Sequence, residues 1–316
     1  MTALRAAALR GVGAHRPALR EDNHAIAERL DSSDEWIQAR SGIVTRGVAA
    51  PDESVVDMAT SAGGKALAAA GIDPADVDLV LLATCSMPGP LPGGAPEVAY
   101  RLGASRAGAS DVGAACAGFT YGVAFAADSI RAGSADTVLV IGSEKLLPLV
   151  DPTDRGTAFL FGDGAGAAVV QVAEQDGIGP VVWAADGAQH DRLTIHGAPP
   201  LMAMDGRAIY RWATTALPDL ARRACVKAGI EPADLAAFVP HQANLRITES
   251  IVKSLKLPSS VVIARDVADS GNTSAASVPL ALARLIEQGE VGQGDAVLLF
   301  GFGAGLTAAG QVVRCP

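Results

Sequence analysis

The stretch Ala69-Ala-Gly-Ile-Asp-Pro-Ala-Asp-Val-Asp-Leu79 has a second copy later in the chain, Lys227-Ala-Gly-Ile-Glu-Pro-Ala-Asp-Leu-Ala-Ala237. In each copy, the motif Ala-Gly-Ile-acid-Pro-Ala-Asp lies between a segment with helical spacing of apolar residues and a short apolar run of strand length. Glycine is the residue that commonly ends a helix, and proline cannot continue one. An internal repeat of this kind predicts two similar halves with a functional site at their junction.

Strand-length apolar runs alternate with helical segments along the whole chain. We predict strands at residues 77–83, 136–142, 164–172, 235–240, 261–264 and 295–300, and the main helices at 54–70, 119–130 and 209–228. This alternation is typical of an α/β fold with parallel sheets covered on both faces. We expect the two halves to span residues 1–172 and 173–316. Residues 178–207 break the pattern and are predicted to be an irregular insertion.

The composition excludes several classes of protein. With 316 residues, 49% of them hydrophobic, the chain can bury a large core, and its net charge of −9 argues against general nucleic-acid binding. The four cysteines are far apart, so neither a zinc site nor a disulfide framework is expected. Residues 1–20 lack the apolar region of a secretory signal, and no apolar run is long enough to cross a membrane. We therefore predict a cytoplasmic protein with reduced thiols.

Cys116 is the candidate nucleophile. It lies in Asp111-Val-Gly-Ala-Ala-Cys-Ala-Gly-Phe-Thr-Tyr121, where small residues leave the thiol open to a bulky substrate. Residues 119–130 are predicted to be helical, so the thiol would lie near a helix N-terminus, where the helix dipole and free N–H groups favour a thiolate. A free cysteine is more often a buried small hydrophobe, and this segment alone leaves both interpretations open.

Two polar segments strengthen the catalytic interpretation. His241, in Val239-Pro-His-Gln-Ala-Asn-Leu-Arg246, and Asn272, in Ser270-Gly-Asn-Thr-Ser-Ala-Ala-Ser-Val-Pro279, each follow an apolar run and precede a predicted helix. In α/β folds, the side chains that follow strands collect into functional sites. A cysteine, a histidine and an asparagine in such positions favour thiol-based acyl transfer.

Two glycine-rich segments, Gly162-Asp-Gly-Ala-Gly166 and Gly301-Phe-Gly-Ala-Gly305, are similar to dinucleotide-binding loops. The first leads into a predicted strand, and the second has too little chain after it for a helix and an acidic residue about 20 positions on. We instead expect these glycines to allow a close approach of the backbone to a ligand or a neighbouring strand.

Six stretches together resemble the β-ketoacyl-acyl-carrier-protein synthase III family, the condensing enzymes that start fatty-acid chains or prime polyketides. The resemblance covers nearly the whole chain and is carried by Asp31-Ser-Ser-Asp-Glu-Trp-Ile37, Ala114-Ala-Cys-Ala-Gly-Phe-Thr120, Asp151-Pro-Thr-Asp-Arg-Gly-Thr157, Phe161-Gly-Asp-Gly-Ala-Gly-Ala167, His241-Gln-Ala-Asn-Leu-Arg246 and Gly271-Asn-Thr-Ser-Ala-Ala-Ser277. It implies the thiolase fold, in which two βαβαβαββ halves form a five-layered α-β-α-β-α core. It also implies a homodimer that needs no metal or redox cofactor.

The reaction implied by the resemblance begins when Cys116 takes an acyl group from acyl-CoA. Malonyl-acyl carrier protein then loses CO₂, and His241 and Asn272 would donate hydrogen bonds to the enolate oxygen. The backbone N–H groups of Cys116 and Ala304 would form a second oxyanion hole; the family usually has glycine where Ala304 stands, and the backbone donor survives that change. Phe302 matches a phenylalanine that shields the site, although composition alone allows an ordinary core aromatic.

The resemblance also implies residues that bind the substrate. Trp36 and Arg155 match a pair that clamps the adenine of CoA, and stacking between an indole and a guanidinium suits a planar base. Arg40 matches an arginine on the phosphate side, and Gly206 and Asn244 match positions along the pantetheine channel.

A basic patch for the carrier protein is implied as well. Arg211, Arg246 and Lys253 match this patch, and Arg207 lies near it with a weaker match. On a chain with a net charge of −9, such a patch would steer an acidic partner, and four solvated surface charges are the alternative interpretation.

The stretch Ser86-Met-Pro-Gly-Pro-Leu-Pro-Gly-Gly-Ala-Pro96 departs from the better-known members. In those members a residue of this loop, often phenylalanine, closes the acyl pocket across the dimer, and Leu91 stands there in this chain. Because leucine is smaller and more flexible, we predict a pocket that accepts branched or longer short-chain acyl groups as well as acetyl. Residues 187–205 are also shortened relative to the family.

Three other functions compete with condensation. An acyltransferase of the same fold would pass the acyl group to another acceptor, for which the His241/Asn272 pair is needed less. A degradative thiolase would want a second catalytic cysteine, and Cys315, one residue from the end, is poorly placed for that role. A non-catalytic carrier-protein scaffold would not need the Cys116, His241 and Asn272 set. The sequence does not distinguish a fatty-acid pathway from a polyketide pathway.

Overall fold

The structure, a computed structural model, describes residues 5–316, so the first four residues of the N-terminal stretch discussed above lie outside the described residues. The strands are β1 (Ala6–His15), β2 (Leu19–Asp22), β3 (Thr45–Val48), β4 (Leu79–Ala83), β5 (Gly108–Val112), β6 (Thr137–Glu144), β7 (Gly164–Ala173), β8 (Val182–Ala185), β9 (Leu193–His196), β10 (Leu201–Met204), β11 (Ala237–Pro240), β12 (Val262–Ile263), β13 (Ala296–Gly303) and β14 (Thr307–Arg314). The helices are α1 (Asn23–Leu30), α2 (Asp34–Ser41), α3 (Val55–Ala70), α4 (Ala95–Leu102), α5 (Gly118–Ala132), α6 (Gly206–Thr215), α7 (Leu217–Lys227), α8 (Leu245–Leu255), α9 (Val267–Ser270) and α10 (Ser277–Glu287).

Two five-stranded sheets share one topology. The first has the order β1-β7-β6-β4-β5, and the second has the corresponding order β8-β14-β13-β11-β12. The third, fourth and fifth strands of each order are parallel, whereas β7 and β14 pair antiparallel with both neighbours. Each half therefore has the element order βαβαβαββ, as predicted for the thiolase fold.

Helices cover both sheets and fill the space between them. Helices α3 and α4 pack on the outer face of the first sheet, α7 packs on the outer face of the second sheet beside α8, and α5 and α10 lie between the two sheets. Apolar side chains of the central helices, including Phe119, Val123 and Leu282, share one core with strands of both sheets. Helices that are apolar around most of their circumference suit such a central layer. The result is the predicted α-β-α-β-α stack.

The sequence repeat forms the same turn in both halves. Gly71 and Gly229 follow α3 and α7 with φ values of 66° and 74°, a left-handed conformation that glycine adopts without strain. A 3-10 turn comes next, at Pro74–Asp76 in the first half and Pro232–Asp234 in the second. The turn then delivers the chain into β4 or β11, whose carboxyl ends lead toward the site described below.

Two predictions of secondary structure are wrong. The helix predicted at 209–228 is two helices that meet at Ala216, because Pro218 has no N–H to continue the hydrogen bonding of α6. The insertion predicted at 178–207 contains β8, which completes the second sheet, and a hairpin of β9 and β10. Each of these strands is only four residues long, shorter than the apolar runs that identified the buried strands.

The boundary between the two halves stays a prediction; β7, which belongs to the first sheet, ends at Ala173.

Among residues 5–316, no helix has both the length and the apolar character needed to cross a bilayer.

Candidate active site

Cys116 lies in a 3-10 turn, Ala115–Ala117, that leads directly into α5. Ala115 has a φ of 44°, a left-handed conformation that residues with a side chain adopt at a cost in energy. The backbone of β13 runs closely against the cysteine, because a Cβ added to Gly303 would lie 2.7 Å from the Cβ of Cys116. This close approach agrees with the role predicted for the second glycine-rich segment.

Burial raises the pKa of the Cys116 thiol to about 11. The hydroxyl of Ser274 and the backbone N–H groups of Cys116 and Ala304 lower this pKa only in part. The prediction that the helix N-terminus favours a resting thiolate is therefore wrong, because desolvation outweighs the local hydrogen-bond donors. Both N–H groups act on the sulfur, which agrees with an oxyanion hole at this position.

His241 follows β11 directly and is neutral, since burial lowers its pKa to about 3. The hydroxyl oxygen of Ser277 accepts the backbone N–H of Gln242 at 3.3 Å and lies 2.7 Å from Nδ1 of His241. The hydroxyl of Ser277 can then donate its proton to Nδ1, an arrangement that places the imidazole proton on Nε2. Among residues 5–316, Nε2 has no hydrogen-bond partner, so it remains available as a donor to a substrate.

Asn272 is oriented by its own backbone neighbourhood. Its Oδ1 accepts the backbone N–H of Ser274 at 2.9 Å, which leaves the Nδ2 group as a donor. Its backbone N–H bonds to the carbonyl of Leu160, and its carbonyl accepts the N–H of Gly162. The imidazole of His241 and the carboxamide of Asn272 are thus two neutral side chains held in place, and each has one donor group available.

Ser274 and Phe302 connect the three predicted residues. The Ser274 hydroxyl donates a hydrogen bond to the Cys116 sulfur at 3.2 Å, and its N–H holds Asn272. The buried Phe302 ring meets the His241 ring edge to face, with centroids 5.1 Å apart and an angle of 74°. Since Phe302 precedes Gly303, the same strand contacts both the imidazole and the thiol. Cys116, His241 and Asn272 therefore lie around one site, although 125 and 31 residues separate them along the chain.

Sequence reasoning missed the roles of Ser274 and Ser277, although both lie within a stretch that carries the resemblance. It also missed Glu144, a fully buried carboxylate at the end of β6. Glu144 accepts hydrogen bonds from the Ser86 hydroxyl at 2.6 Å, from the backbone N–H of Cys85 and from the backbone N–H of Ala275. Burial raises the pKa of this carboxyl. The sequence signal for Glu144 is a charged residue at the end of an apolar strand.

The residues predicted to clamp adenine form one cluster. The guanidinium carbon of Arg40 lies 4.6 Å from the centroid of the Trp36 ring, and that of Arg155 lies 5.6 Å from it. Arg155 also donates to the carbonyl of Asp31 at 3.0 Å. Both arginines are exposed, and the rings of Trp36 and Phe159 pack edge to face.

The two residues predicted for the pantetheine channel lie at the starts of helices. Gly206 is the first residue of α6 and is exposed. Asn244 caps α8, because its Oδ1 accepts the N–H of Ile247 at 3.0 Å. Its Nδ2 group remains available to donate.

The predicted carrier-protein patch comprises four exposed cations on two adjoining helices. Arg207 and Arg211 lie one turn apart on α6, and Arg246 and Lys253 lie two turns apart on α8. The guanidinium of Arg246 lies 5.5 Å from the ring centroid of Tyr210, which links the two helices. In the part of the chain that the structure describes, none of the four forms a salt bridge.

Leu91 lies outside this site, with 87% of its surface exposed. Within residues 5–316, no group of three or more His, Cys, Asp or Glu side chains is arranged to hold a metal ion.

Replacing Ser274 with alanine should raise the pKa of the Cys116 thiol by one to two units, because a hydrogen bond to a charged group contributes about 1.5–3 kcal/mol. Alkylation of Cys116 by iodoacetamide at pH 8, followed by peptide mass spectrometry, should slow about tenfold. The matched control is Ser277→Ala, whose hydroxyl contacts His241 instead of the sulfur. Equal alkylation rates in Ser274→Ala and the unmodified protein would contradict this assignment.

The neutral state of His241 should make stability depend on pH. Its pKa is about 3 in the folded protein and about 6.5 in the unfolded chain, so the unfolded state binds the extra proton as the pH falls below 6.5. At pH 5 this should lower the free energy of unfolding by about 2 kcal/mol relative to pH 8. Urea denaturation of His241→Gln should lack this part of the loss. If the free energy of unfolding falls by the same amount in both proteins between pH 8 and pH 5, the folded state protonates His241 normally and this prediction is wrong.

Comparisons with known proteins confirm the resemblance. Residues 110–187 match the family described as 3-oxoacyl-[acyl-carrier-protein (ACP)] synthase III, and residues 225–315 match its C-terminal part. The chain is 52% identical to beta-ketoacyl-[acyl-carrier-protein] synthase III 4 of Streptomyces coelicolor, over 96% of this chain and 97% of the relative.

Two solved structures show the same fold over the full length. The priming β-ketosynthase from the R1128 polyketide biosynthetic pathway has a TM-score of 0.97 and 42% identity, and the alignment covers 100% of this chain and 98% of that one. The 3-oxoacyl-(acyl carrier protein) synthase III of Pseudomonas aeruginosa has a TM-score of 0.94 and 39% identity, with 99% of each chain covered. By fold, by motif and by similarity over nearly its whole length, this chain belongs to the 3-oxoacyl-[acyl-carrier-protein] synthase III family of acyltransferases.

Proposed function

We propose that the chain condenses a short-chain acyl-CoA primer with malonyl-acyl carrier protein through an acyl-Cys116 intermediate. Condensation of acyl-CoA with malonyl-acyl carrier protein is the activity of the family. In this chain we assign that reaction to Cys116, His241 and Asn272, with a short-chain acyl group as the primer. One observation carries it: within residues 5–316, two neutral donors, His241 Nε2 and Asn272 Nδ2, have no partner and lie at the same site as a buried thiol that Ser274 contacts.

The first step is acylation of Cys116. Its sulfur attacks the thioester carbonyl of acyl-CoA, the bond from that carbonyl to the CoA sulfur breaks, and the thiol proton leaves with CoA. The backbone N–H groups of Cys116 and Ala304 hold the oxyanion of the tetrahedral intermediate. Because the thiol has a pKa of about 11 when the site is buried, the sulfur loses its proton during the attack and not in the resting enzyme.

The second step is decarboxylation. The malonyl group loses CO₂, and the electrons of the broken bond move to the thioester oxygen to form an enolate. His241 and Asn272 donate hydrogen bonds to this oxygen, and fixed donors in a desolvated site stabilise developing charge strongly. A cationic imidazole would instead be attracted to the substrate carboxylate before CO₂ leaves. The neutral state of His241, with a pKa of about 3, therefore suits this role.

The third step forms the new carbon–carbon bond. The enolate carbon attacks the acyl carbonyl on Cys116, the carbon–sulfur bond breaks, and the 3-oxoacyl group stays on the carrier protein. The departing sulfur carries negative charge until it takes a proton. The Ser274 hydroxyl, 3.2 Å from the sulfur, stabilises that thiolate.

Transfer of the acyl group to another acceptor is not favoured. Such a reaction needs an acceptor alcohol or amine with a base to deprotonate it, whereas His241 has a proton on Nε2 and Asn272 is oriented as a donor. Named relatives with 44–52% identity are synthases of the same family.

The substrates reach the site along the residues that the resemblance implies. Trp36, Arg40 and Arg155 would hold the adenine and phosphate end of CoA, and Gly206 and Asn244 would line the path of the pantetheine arm. The four exposed cations of α6 and α8 would attract an acidic carrier protein. No metal or redox cofactor takes part in the proposed steps, and a cytoplasmic location would keep Cys116 reduced.

We further propose that the protein works as a homodimer in which Leu91 closes the partner's acyl pocket. A leucine with 87% of its surface exposed is unfavourable on a free protomer. Burying it in the partner would remove that apolar surface from water.

Replacing Asn272 with alanine should separate the first two steps. Acylation of Cys116 should continue at a similar rate, because the oxyanion hole for that step is backbone. Decarboxylation of malonyl-acyl carrier protein should fall about 10²–10³-fold, as is typical when one oxyanion donor is removed. Mass spectrometry of acyl-Cys116 and release of labelled CO₂ measure the two steps, and equal losses in both would refute the division of roles.

The acyl pocket should accept primers larger than acetyl. With acetyl-CoA and isobutyryl-CoA as competing primers, we expect both to be condensed, and Leu91→Phe should shift the ratio of kcat/KM values toward acetyl. Leu91→Met, which changes the volume little, is the matched control. Strict preference of the unmodified protein for acetyl-CoA would contradict the prediction of a larger acyl pocket.

A further inference from the structure

We propose that Cys85 and Cys116 form a redox pair, in which a peroxide converts the two thiols into an intramolecular disulfide that shields the nucleophile reversibly. Cys85 begins the loop that follows β4, two residues after the strand ends at Ala83. None of the proposed catalytic steps uses its thiol. The bridge depends only on the two cysteines, whereas the loss of activity that it causes rests on the proposed role of Cys116.

The two sulfurs contact the same hydroxyl group. The Ser274 oxygen lies 3.2 Å from the Cys116 sulfur and 3.7 Å from the Cys85 sulfur. One side chain therefore separates the two thiols. Formation of the bridge requires the Ser274 hydroxyl to rotate aside and the Cys85 sulfur to leave the carboxylate of Glu144, 3.3 Å away.

The two cysteines differ in their surroundings. Cys85 is exposed as a residue, although its sulfur is enclosed by the carboxylate of Glu144 and the hydroxyl of Ser274. The loop after it, residues 86–94, belongs to no strand or helix and carries exposed prolines and glycines. Cys116 is buried in the turn that leads into α5, so the loop cysteine is the partner that moves. The other two cysteines, Cys225 and Cys315, are buried away from this site among the core residues of the second sheet and the central layer.

The environments of the two thiols suggest different roles. Ser274 and two backbone N–H groups donate to the Cys116 sulfur, whereas the Glu144 charge disfavours a thiolate at Cys85. Of the two thiols, Cys116 therefore loses its proton first and attacks the peroxide. The Cys85 thiol donates to Glu144, a carboxylate that can take its proton when it attacks the oxidised partner. Cys116 would then be the cysteine that is oxidised first, and Cys85 the one that resolves it.

The chemistry balances with peroxide as the oxidant. The Cys116 sulfur displaces hydroxide from hydrogen peroxide, forming a sulfenic acid and, after proton transfer, one water molecule. The Cys85 sulfur then attacks the sulfenic sulfur, and a second water leaves as the sulfur–sulfur bond forms. The two thiols lose two electrons and the peroxide gains them. Burial raises the pKa of both thiols, with the Glu144 charge adding to the effect at Cys85, so the bridge should form faster as the pH rises.

The test treats the purified full-length protein with hydrogen peroxide and then divides each sample in two. One part is digested without reductant and mapped by mass spectrometry; the other is assayed for condensation before and after dithiothreitol. We expect a peptide linked through residues 85 and 116, loss of activity, and recovery of most of it with the reductant. In Cys85→Ser, measured against its own starting activity, dithiothreitol should restore little, because Cys116 proceeds to the sulfinic acid.

Cys315→Ala is the matched control and should recover as the unmodified protein does. Absence of the 85–116 peptide, or full recovery in Cys85→Ser, overturns the redox pair. A bridge that forms while activity persists supports the pair and overturns the role of Cys116 as the nucleophile.

Discussion

The two hydrogen bonds of Ser274 are the interaction on which the site depends. Its N–H holds the carboxamide oxygen of Asn272 at 2.9 Å, and its hydroxyl reaches the sulfur of Cys116 at 3.2 Å. The residue adopts a φ of 46°, a strained conformation that the surroundings must enforce. Glu144 contributes to this, because it accepts the N–H of the next residue, Ala275, from within the core. One short turn thereby sets the direction of the amide donor and the environment of the thiol together.

Desolvation determines the protonation states around this turn. Burial leaves His241 neutral and raises the pKa of the Cys116 thiol, so the resting site holds two uncharged reactive groups. Fixed donors in a desolvated environment need no reorganisation when negative charge appears. The same burial that makes charge unfavourable at rest therefore increases the effect of the donors on an enolate or on a departing thiolate. The acid–base properties of the site follow from its depth as much as from its residue types.

The duplicated topology explains why residues so distant in sequence meet. Each half places a central helix between the sheets. Cys116 lies in the turn that leads into one of these helices, α5, and Ser277 begins the other, α10. The paired strands β11 and β13 of the second sheet bring the rings of His241 and Phe302 into contact. Glycines at the contacts, such as Gly303 against Cys116, allow the backbones to approach without a Cβ between them. Neither half alone contains the complete set.

Local sequence determined much of this protein. The alternation of apolar runs and the Ala-Gly-Ile-acid-Pro-Ala-Asp repeat predicted the α/β class and the two halves, and the helix at 54–70 was predicted to within one residue of α3 (Val55–Ala70). The motifs also predicted Cys116, His241 and Asn272 as site residues, since thiol, imidazole and carboxamide side chains stand out beside small or apolar neighbours. Their meeting at one site required the folded structure.

Tertiary structure alone decided the rest. The orientation of the Asn272 amide, the tautomer of His241 and the contacts of Ser274, Ser277 and Glu144 all depend on partners that sequence spacing does not reveal. The raised pKa of Cys116 is the sharpest example, because the helix N-terminus visible in the sequence predicted the opposite direction. Desolvation depends on atoms that are distant along the chain and close in space, so a local sequence pattern does not predict it.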